Sequence, residues 1–187
     1  PNDSGFYPIS DWSVSPRAYG EFLNQVFQRW VREDVGQIFI QHFEAALANE
    51  MKLPTGVCVW NATCGDAVII AHNGDCYACD HYVYPEYCLG NILESPLPEM
   101  IQTRAQQQFG QDKLDALPSV CQTCDVLYLC HGECPKHRFV KGPEGDKGHN
   151  YLCEAYKHFF TTIRPELGVF REILELGQPA ENIMTWM

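Results

Sequence analysis

Cys121-Gln122-Thr123-Cys124-Asp125-Val126-Leu127-Tyr128-Leu129-Cys130-His131-Gly132-Glu133-Cys134 is the densest run of cysteine in the chain, spaced C-x2-C-x5-C-x3-C. Upstream stand Cys58, Cys64 and Cys79, and downstream Cys153. Thiolate sulfur is a soft ligand, and four thiolates complete a tetrahedral zinc site or a cubane iron–sulfur cluster. These eight of the ten cysteines therefore supply two full sites. Metal chemistry, together with apolar packing, is expected to organise the fold. The spacing by itself leaves zinc and iron–sulfur both open.

The remainder of the composition narrows the classes. At 187 residues and 45% hydrophobic content, the chain can bury an ordinary core as one domain, or one domain with a small appendage. A net charge of −11 repels phosphates and argues against a nucleic-acid partner. No apolar run reaches the length of a membrane span, so no membrane partner is expected. The start, Pro1-Asn2-Asp3-Ser4-Gly5, is polar and has no signal-peptide pattern. With no initiator Met there, the chain reads as a piece of a longer protein whose N-terminal part lies upstream. The ten cysteines raise a rival reading, a secreted disulfide scaffold. Such scaffolds are short and poor in core, and the close C-x2-C and C-x3-C pairs here suit one metal better. A reducing, cytoplasmic setting follows.

Periodicity places the elements around the cysteines. Ser15-Pro16 marks a helix start, and Tyr19, Phe22, Leu23, Val26, Phe27 and Trp30 continue as a core stripe to about Arg32. Val35 to Gln41 alternates as a strand, and Phe43 to Met51 returns to helical spacing. From Gly56 the style changes. Ala67–His72 and Asp75–Asp80 flank Asn73-Gly74, a type I′ hairpin signal that leaves Cys79 at the hairpin's end. Ser95-Pro96 opens a helical region from about Leu97 to Gln108. Gly110 is expected to separate it from a second piece ending near Leu117. Short turns are expected through the cysteine run, and a Gly- and Lys-rich loop from Lys141 to Gly148. A helix from Asn150 to Ile163 would carry Cys153 in its first turn, where partial positive charge favours thiolate. A last helix, Pro165 to Leu176, and a loose tail to Met187 complete the reading.

The cysteine order Cys64-x9-Gly74-x4-Cys79, then Cys121-x2-Cys124-x5-Cys130-x3-Cys134, then Cys153 resembles the seven-cysteine signature of the SPASM extension of radical SAM enzymes. Four stretches resemble the anaerobic sulfatase-maturating enzymes most closely. They are Cys58-Val59-Trp60-Asn61-Ala62-Thr63-Cys64, His72-Asn73-Gly74-Asp75-Cys76-Tyr77-Ala78-Cys79-Asp80-His81, Leu89-Gly90-Asn91-Ile92 and Cys130–Phe139. The likeness extends from about Phe6 to Gly168. It implies an α+β fold in which a small hairpin and helices surround two metal-cluster sites. Residues 1–55 would be the C-terminal remnant of a radical SAM α/β barrel with a linker. Residues 56–165 would be the SPASM domain, and 166–187 a C-terminal helix and tail.

The resemblance also implies ligands and chemistry. Two auxiliary [4Fe–4S] clusters are expected, one held by Cys58, Cys64, Cys79 and Cys134, the other by Cys121, Cys124, Cys130 and Cys153. Zinc can replace them in protein produced in air. The family oxidises a Cys or Ser of an unfolded sulfatase polypeptide to Cα-formylglycine, with flavodoxin or ferredoxin as electron donor. A deoxyadenosyl radical takes hydrogen from the substrate Cβ, a base removes the side-chain proton, and an electron leaves toward an auxiliary cluster. The resemblance puts the base at Asp80, which read alone is a turn cap. SAM and a third [4Fe–4S] cluster belong to a C-x3-C-x2-C motif that this chain lacks, so the chain alone is expected to be inactive. Two rivals stand beside this reading: another SPASM enzyme that crosslinks or epimerises a ribosomal peptide, and a non-catalytic double-zinc interaction module.

The remaining chemistry-bearing residues read more plainly. Cys76 and Cys88 are expected as small buried hydrophobes, and Trp60 as packing that shields the first cluster. His131 and His137 read as donors beside the ligands or as surface groups. Lys136, His137 and Arg138 form a small basic patch, read as a solvated face or a dock for an acidic segment. Tyr82 and Tyr84 read as strand packing or the lining of a peptide channel.

Overall fold

Ser15 converts an extended segment into a helix. Its Oγ accepts the Ala18 amide at 3.2 Å, and Pro16 takes a first-turn position where no N–H is needed. The computed structural model describes residues 9–65 and 67–186. The polar start, the outset of the resemblance at Phe6, and Met187 lie outside them. The chain divides into two compact units, Pro1–Asn61 with Pro118–Met187, and Ala62–Leu117. The architecture is α+β, with small sheets among helices. No helix among the described residues is long and apolar enough to cross a membrane.

In the first unit, α1 (Pro16–Glu33) buries Leu23, Phe27, Trp30 and Val31. Phe22, counted in the expected stripe, instead faces outward at 58% exposure. The expected strand at Val35–Gln41 does not form. The Asp34 amide closes α1 onto the Trp30 carbonyl, and the Asp34 carbonyl accepts the amides of both Gln37 and Ile38. Gly36 supplies the positive φ of 81° within this turn. Trp30 Nε1 donates to the Ile38 carbonyl at 2.7 Å. The alternating residues therefore serve a turn, with Val35 buried while Ile38 and Phe39 are exposed. Next comes α2 (Gln41–Glu50), which buries Phe43, Ala45 and Ala46.

The long α7 (Cys153–Glu175) completes this core. The break expected between Ile163 and Pro165 is absent, because Pro165 sits inside a continuous helix. A proline in a helix interior costs about 3 kcal/mol. Beyond it Leu167, Phe170 and Ile173 are all buried, each contributing roughly 1.5–3 kcal/mol. Burial outweighs the lost hydrogen bond. The helices α1 and α7 approach closely at Gly20, where a β-carbon would lie 3.1 Å from Ala155 Cα. Phe27, Trp30, Phe43, Phe159 and Phe170 form an aromatic cluster with ring centroids 5.1–6.1 Å apart in the pairs Phe27–Phe43, Trp30–Phe170 and Phe27–Phe159. The tail is docked rather than loose. Its 3-10 turn, Ala180–Thr185, inserts Ile183 into the core at 0% exposure. The Gly- and Lys-rich loop is the tip of a hairpin, β4 (Val140–Lys141) with β5 (Lys147–His149).

The second unit holds a three-stranded antiparallel sheet in the order β1 (Ile69–Ile70), β2 (Asp75–Tyr77), β3 (Cys88–Asn91). The hairpin is present, but its turn differs from type I′. Gly74 has φ 89°, whereas Asn73 is not among the residues with positive φ. The Gly74 amide returns to the Ala71 carbonyl, and the Ala71 amide to the Asp75 carbonyl. This is the three-residue hairpin loop that ends on a left-handed glycine. Asn91 fixes it by donating to the Asn73 carbonyl and to Asp75 Oδ1. After α3 (Leu97–Ile101) the helical region breaks at Thr103, earlier than expected. Thr103 Oγ1 accepts the Gln106 amide and starts α4 (Arg104–Asp115). Gly110 lies inside α4, where a β-carbon would sit 2.7 Å from the Cys64 carbonyl oxygen. Its missing side chain permits that approach.

His42 on α2 yields a pH prediction. Its ring lies edge-on to Trp60 at 4.4 Å and against Phe159, with Nε2 buried and lacking a hydrogen-bond partner among the described residues. Burial pulls its pKa from 6.5 to about 4, Glu133 opposing the shift. Below 6.5 the unfolded chain takes up the proton first. This contribution to stability is intact above pH 6.5 and is lost between 6.5 and 4, by at most about 1.4 kcal/mol per pH unit. Thermal melts across that window should show the loss, and His42→Leu should flatten it. A variant whose pH profile matches the parent contradicts the assignment.

Candidate metal centre

Four cysteines of the first unit meet around one cavity. α5 (Ser119–Gln122) carries Cys121, α6 (Leu127–Cys130) ends on Cys130, Cys124 stands in the turn between them, and Cys153 opens α7. The Cys124 amide returns to the Cys121 carbonyl, and the Leu127 amide to that of Cys124, so the run is folded into consecutive turns. All four cysteines, with Val120, Val126, Leu127, Gly132, Asn150 and Lys157, line a cavity of about 50 Å³. No disulfide joins any of the ten cysteines.

Each ligand-bearing segment has its own anchor. The Asp146 carboxylate, from the β4–β5 loop, accepts the Ser119 amide and hydroxyl at 3.1 and 3.2 Å and so holds the start of α5. Tyr128 donates to Glu50 Oε2 at 3.0 Å, and Arg171 pairs with Glu50 Oε1, tying α6 to α2 and α7. Asn49 Nδ2 donates to the carbonyls of Trp60 and Leu129. The Asn150 carboxamide accepts the Leu152 amide at 2.7 Å beside Cys153 and donates to Glu133 Oε2 at 2.8 Å.

Burial opposes ionisation of three of these thiols. Burial pushes Cys130 up to about 12, with the neighbouring Cys153, Cys121 and Cys124 adding to the shift and a backbone bond from Gly132 opposing it. Burial likewise pushes Cys153 up to about 11 and raises Cys121. Lys157 opposes the shift at Cys153, and Arg138 that at Cys121. A cation bound among the four sulfurs displaces the thiol protons and removes the penalty of burying thiolates. The site thus fits a thiolate-bound metal group, with two cations placed against its negative charge. A single tetrahedral ion with Zn–S bonds of about 2.3 Å fills the space between four sulfurs. No three of these four sulfurs lie within 4.8 Å of one another, so they span more than one such ion and fit a multi-atom cluster.

The loop between Cys130 and Cys134 has an unusual backbone. His131, Gly132 and Glu133 take φ of 47°, 69° and 54° in succession. Arg138, 9% exposed, donates to all three of their carbonyls: Nε to Gly132 at 2.9 Å, and Nη2 to His131 and Glu133 at 3.0 Å. Glu133, 5% exposed, accepts from Asn150 and from His137 Nδ1, the latter at 2.8 Å. Arg138 is therefore an internal brace, which corrects its reading as part of a solvated patch or an acidic dock. Glu133, Asn150 and Asn49 escaped the sequence reading, since nothing in their spacing marks them.

The other four expected ligands are placed as follows. In the first unit Cys58 opens a 3-10 turn, Cys58–Trp60, and Cys134 precedes another, Pro135–His137. In the second unit Cys64 donates its amide to the Gly110 carbonyl, and Cys79 follows β2. Buried Gln106 donates from Nε2 to the carbonyls of Gly65 and Ala78, each 3.3 Å away, so α4 ties the Cys64 and Cys79 segments together. The Cys79 thiol donates to Asp80 Oδ1 at 3.3 Å, and the His81 amide donates to Cys79 Sγ at 3.4 Å. The Asp80 side chain is 69% exposed. Tyr82 packs on Tyr87 and Phe109 at 4.9 and 5.3 Å. Cys76 is buried as expected, whereas Cys88 is exposed on β3. Trp60 belongs to the core of the first unit at 3% exposure.

Comparison with known proteins gives this geometry a context. Residues 58–125 match the SPASM family, described as an iron-sulfur cluster-binding domain. A serine-type anaerobic sulfatase-maturating enzyme of Bacteroides thetaiotaomicron is 45% identical over 94% of this chain and 42% of its own length. A serine-type enzyme of Klebsiella pneumoniae is 33% identical over 85% of the chain and 38% of its own length. A cysteine-type enzyme of Clostridium perfringens is 28% identical over 84% and 42%. A solved structure described as native anSMEcpe with bound AdoMet and Kp18Cys peptide superposes with a TM-score of 0.76 at 26% identity, covering 90% of this chain and 47% of that one. The chain thus carries a SPASM iron–sulfur domain and is homologous over most of its length to anaerobic sulfatase-maturating enzymes. It spans less than half the length of these relatives.

The cavity predicts which cysteines matter for metal. Cys130→Ser should lower the metal content of anoxically reconstituted chain by one site, whereas Cys76→Ser should leave it unchanged. Elemental analysis reads both, and equal content in the two variants contradicts the assignment.

Proposed function

We propose that this chain is the auxiliary-cluster portion of a radical SAM oxidoreductase that converts a Cys or Ser of a sulfatase polypeptide to Cα-formylglycine. Its four-cysteine cavity within a chain homologous to sulfatase-maturating enzymes carries the reading. Cys121, Cys124, Cys130 and Cys153 would hold one [4Fe–4S] cluster, and Cys58, Cys64, Cys79 and Cys134 another. Such clusters supply one-electron acceptance close to the substrate. With four cysteine ligands each, they have no open iron for substrate.

The chain's own residues have distinct tasks in this reading. Asp80, exposed and next to a ligand, removes the side-chain proton of the target residue. Gln106 and Gly110 set the separation of the Cys64 and Cys79 segments and so the place of Asp80. Residues 1–55 would be the last part of the barrel, residues 56–165 the SPASM domain, and 166–187 its closing helix and tail. The SAM site and its C-x3-C-x2-C cluster would lie elsewhere in the parent protein. The substrate would be an unfolded sulfatase segment, and a flavodoxin or ferredoxin the electron source. The higher identity to serine-type relatives, 45% against 28% for the cysteine-type one, favours serine as the target.

The parent protein, given SAM, reductant and a serine-containing sulfatase peptide, should form formylglycine detectable by mass spectrometry. Asp80→Asn should lower that rate roughly 10²–10⁴-fold, the usual worth of a general base, without loss of iron. The chain alone should form none. A parent inactive on sulfatase peptides but active in crosslinking or epimerising another peptide would replace this reading with that of a different SPASM enzyme.

A further inference from the structure

The three-residue turn between Cys130 and Cys134 is costly as drawn. His131 and Glu133 carry side chains in the left-handed region, where the β-carbon crowds the following carbonyl oxygen. The His131 amide bonds to the Leu127 carbonyl and the Glu133 amide to the Cys130 carbonyl. Gly132, between them, lines the four-cysteine cavity beside Cys130, and a backbone bond from it opposes the upward shift of the Cys130 thiol. The carbonyls of Gly132, His131 and Glu133 converge on the Arg138 guanidinium, at 2.9, 3.0 and 3.0 Å. All three bonds have a charged donor, and together they offset the strain of the turn. The forked, planar guanidinium is suited to this, because it reaches several acceptors at fixed angles. Glu133 secures the loop from the other side through Asn150 and His137.

From this geometry we infer that Arg138 is a positioning residue that sets the reduction potential of the cluster held by Cys121, Cys124, Cys130 and Cys153. It does so by holding Gly132, whose amide lies between those committed to the Leu127 and Cys130 carbonyls, against the Cys130 side of the cavity. The inference rests on the cluster reading given above. A hydrogen bond to a ligating sulfur stabilises the reduced, more negative state and raises the potential. Losing the brace relaxes the turn, withdraws the amide and lowers the potential. The charge of Arg138 alone would act in the same direction, so the conservative replacement separates the two effects.

The test uses the whole chain, anoxically reconstituted, as wild type, Arg138→Lys and Arg138→Gln. Iron and sulfide content, circular dichroism and EPR-monitored redox titration are measured on each. Arg138→Lys keeps the charge but cannot bind three carbonyls as a planar fork. We expect both variants to keep the wild-type iron content and to move one of two redox steps to a more negative potential. The shift should be larger for Arg138→Gln, and the second step should stay fixed as an internal control. An Arg138→Lys potential equal to wild type, at equal occupancy, overturns the positioning role and leaves only a charge effect. Should Arg138→Gln fail to fold or load, the Arg138→Lys titration alone decides. Wild-type chain that binds zinc and no iron overturns the cluster reading and this inference with it, an outcome distinct from an unchanged potential.

Discussion

Four cysteines line one small cavity with Val120, Val126 and Leu127, and burial there opposes ionisation of Cys121, Cys130 and Cys153; this constraint governs the rest of the structure. Burial drives Cys130 and Cys153 far above the usual thiol range. A bound cationic group reverses that penalty by exchanging protons for metal–sulfur bonds. Folding of the cysteine run and metal binding are therefore linked, and apolar packing supplies the frame on which the linkage acts.

That frame is the aromatic core of α1, α2 and α7. It fixes Cys153 through the start of α7, while Tyr128 and Arg171 meet on Glu50 to hold α6. Asp146 holds α5 from the β4–β5 loop. Cys121, Cys130 and Cys153 are thus held through different anchors, with Cys124 in the turn between α5 and α6. In the second unit α4 plays the same part for Cys64 and Cys79 through Gln106 and Gly110. The polar brace of Arg138 and Glu133 then shapes the stretch in which three successive residues take positive φ.

The convergence of Cys121, Cys124 and Cys130 on one cavity was legible in their short spacings, whereas the grouping of Cys153 with them came from the family resemblance. The helix at Pro16 was equally legible, since its cap and stripe are local signals. The strand expected at Val35–Gln41 was not, because alternation cannot distinguish a strand from a turn that hydrogen bonds on the Asp34 carbonyl. Pro165 misled for a different reason: the helix beyond it is held by distant core partners of Leu167 and Phe170. Gly110 looked like a breaker, but its role is contact with a carbonyl remote in sequence. Arg138 looked like surface charge because nothing local shows that three carbonyls turn toward it.

The central proposal is that Cys58, Cys64, Cys79 and Cys134 hold one iron–sulfur cluster and Cys121, Cys124, Cys130 and Cys153 another. The most direct measurement is iron and acid-labile sulfide in the chain after anoxic reconstitution, read with its visible spectrum. The account predicts about eight irons and eight sulfides per chain with broad thiolate-to-iron absorbance, as two cubane clusters require. Two zinc ions per chain, with no sulfide and no visible absorbance under the same anoxic conditions, would contradict it.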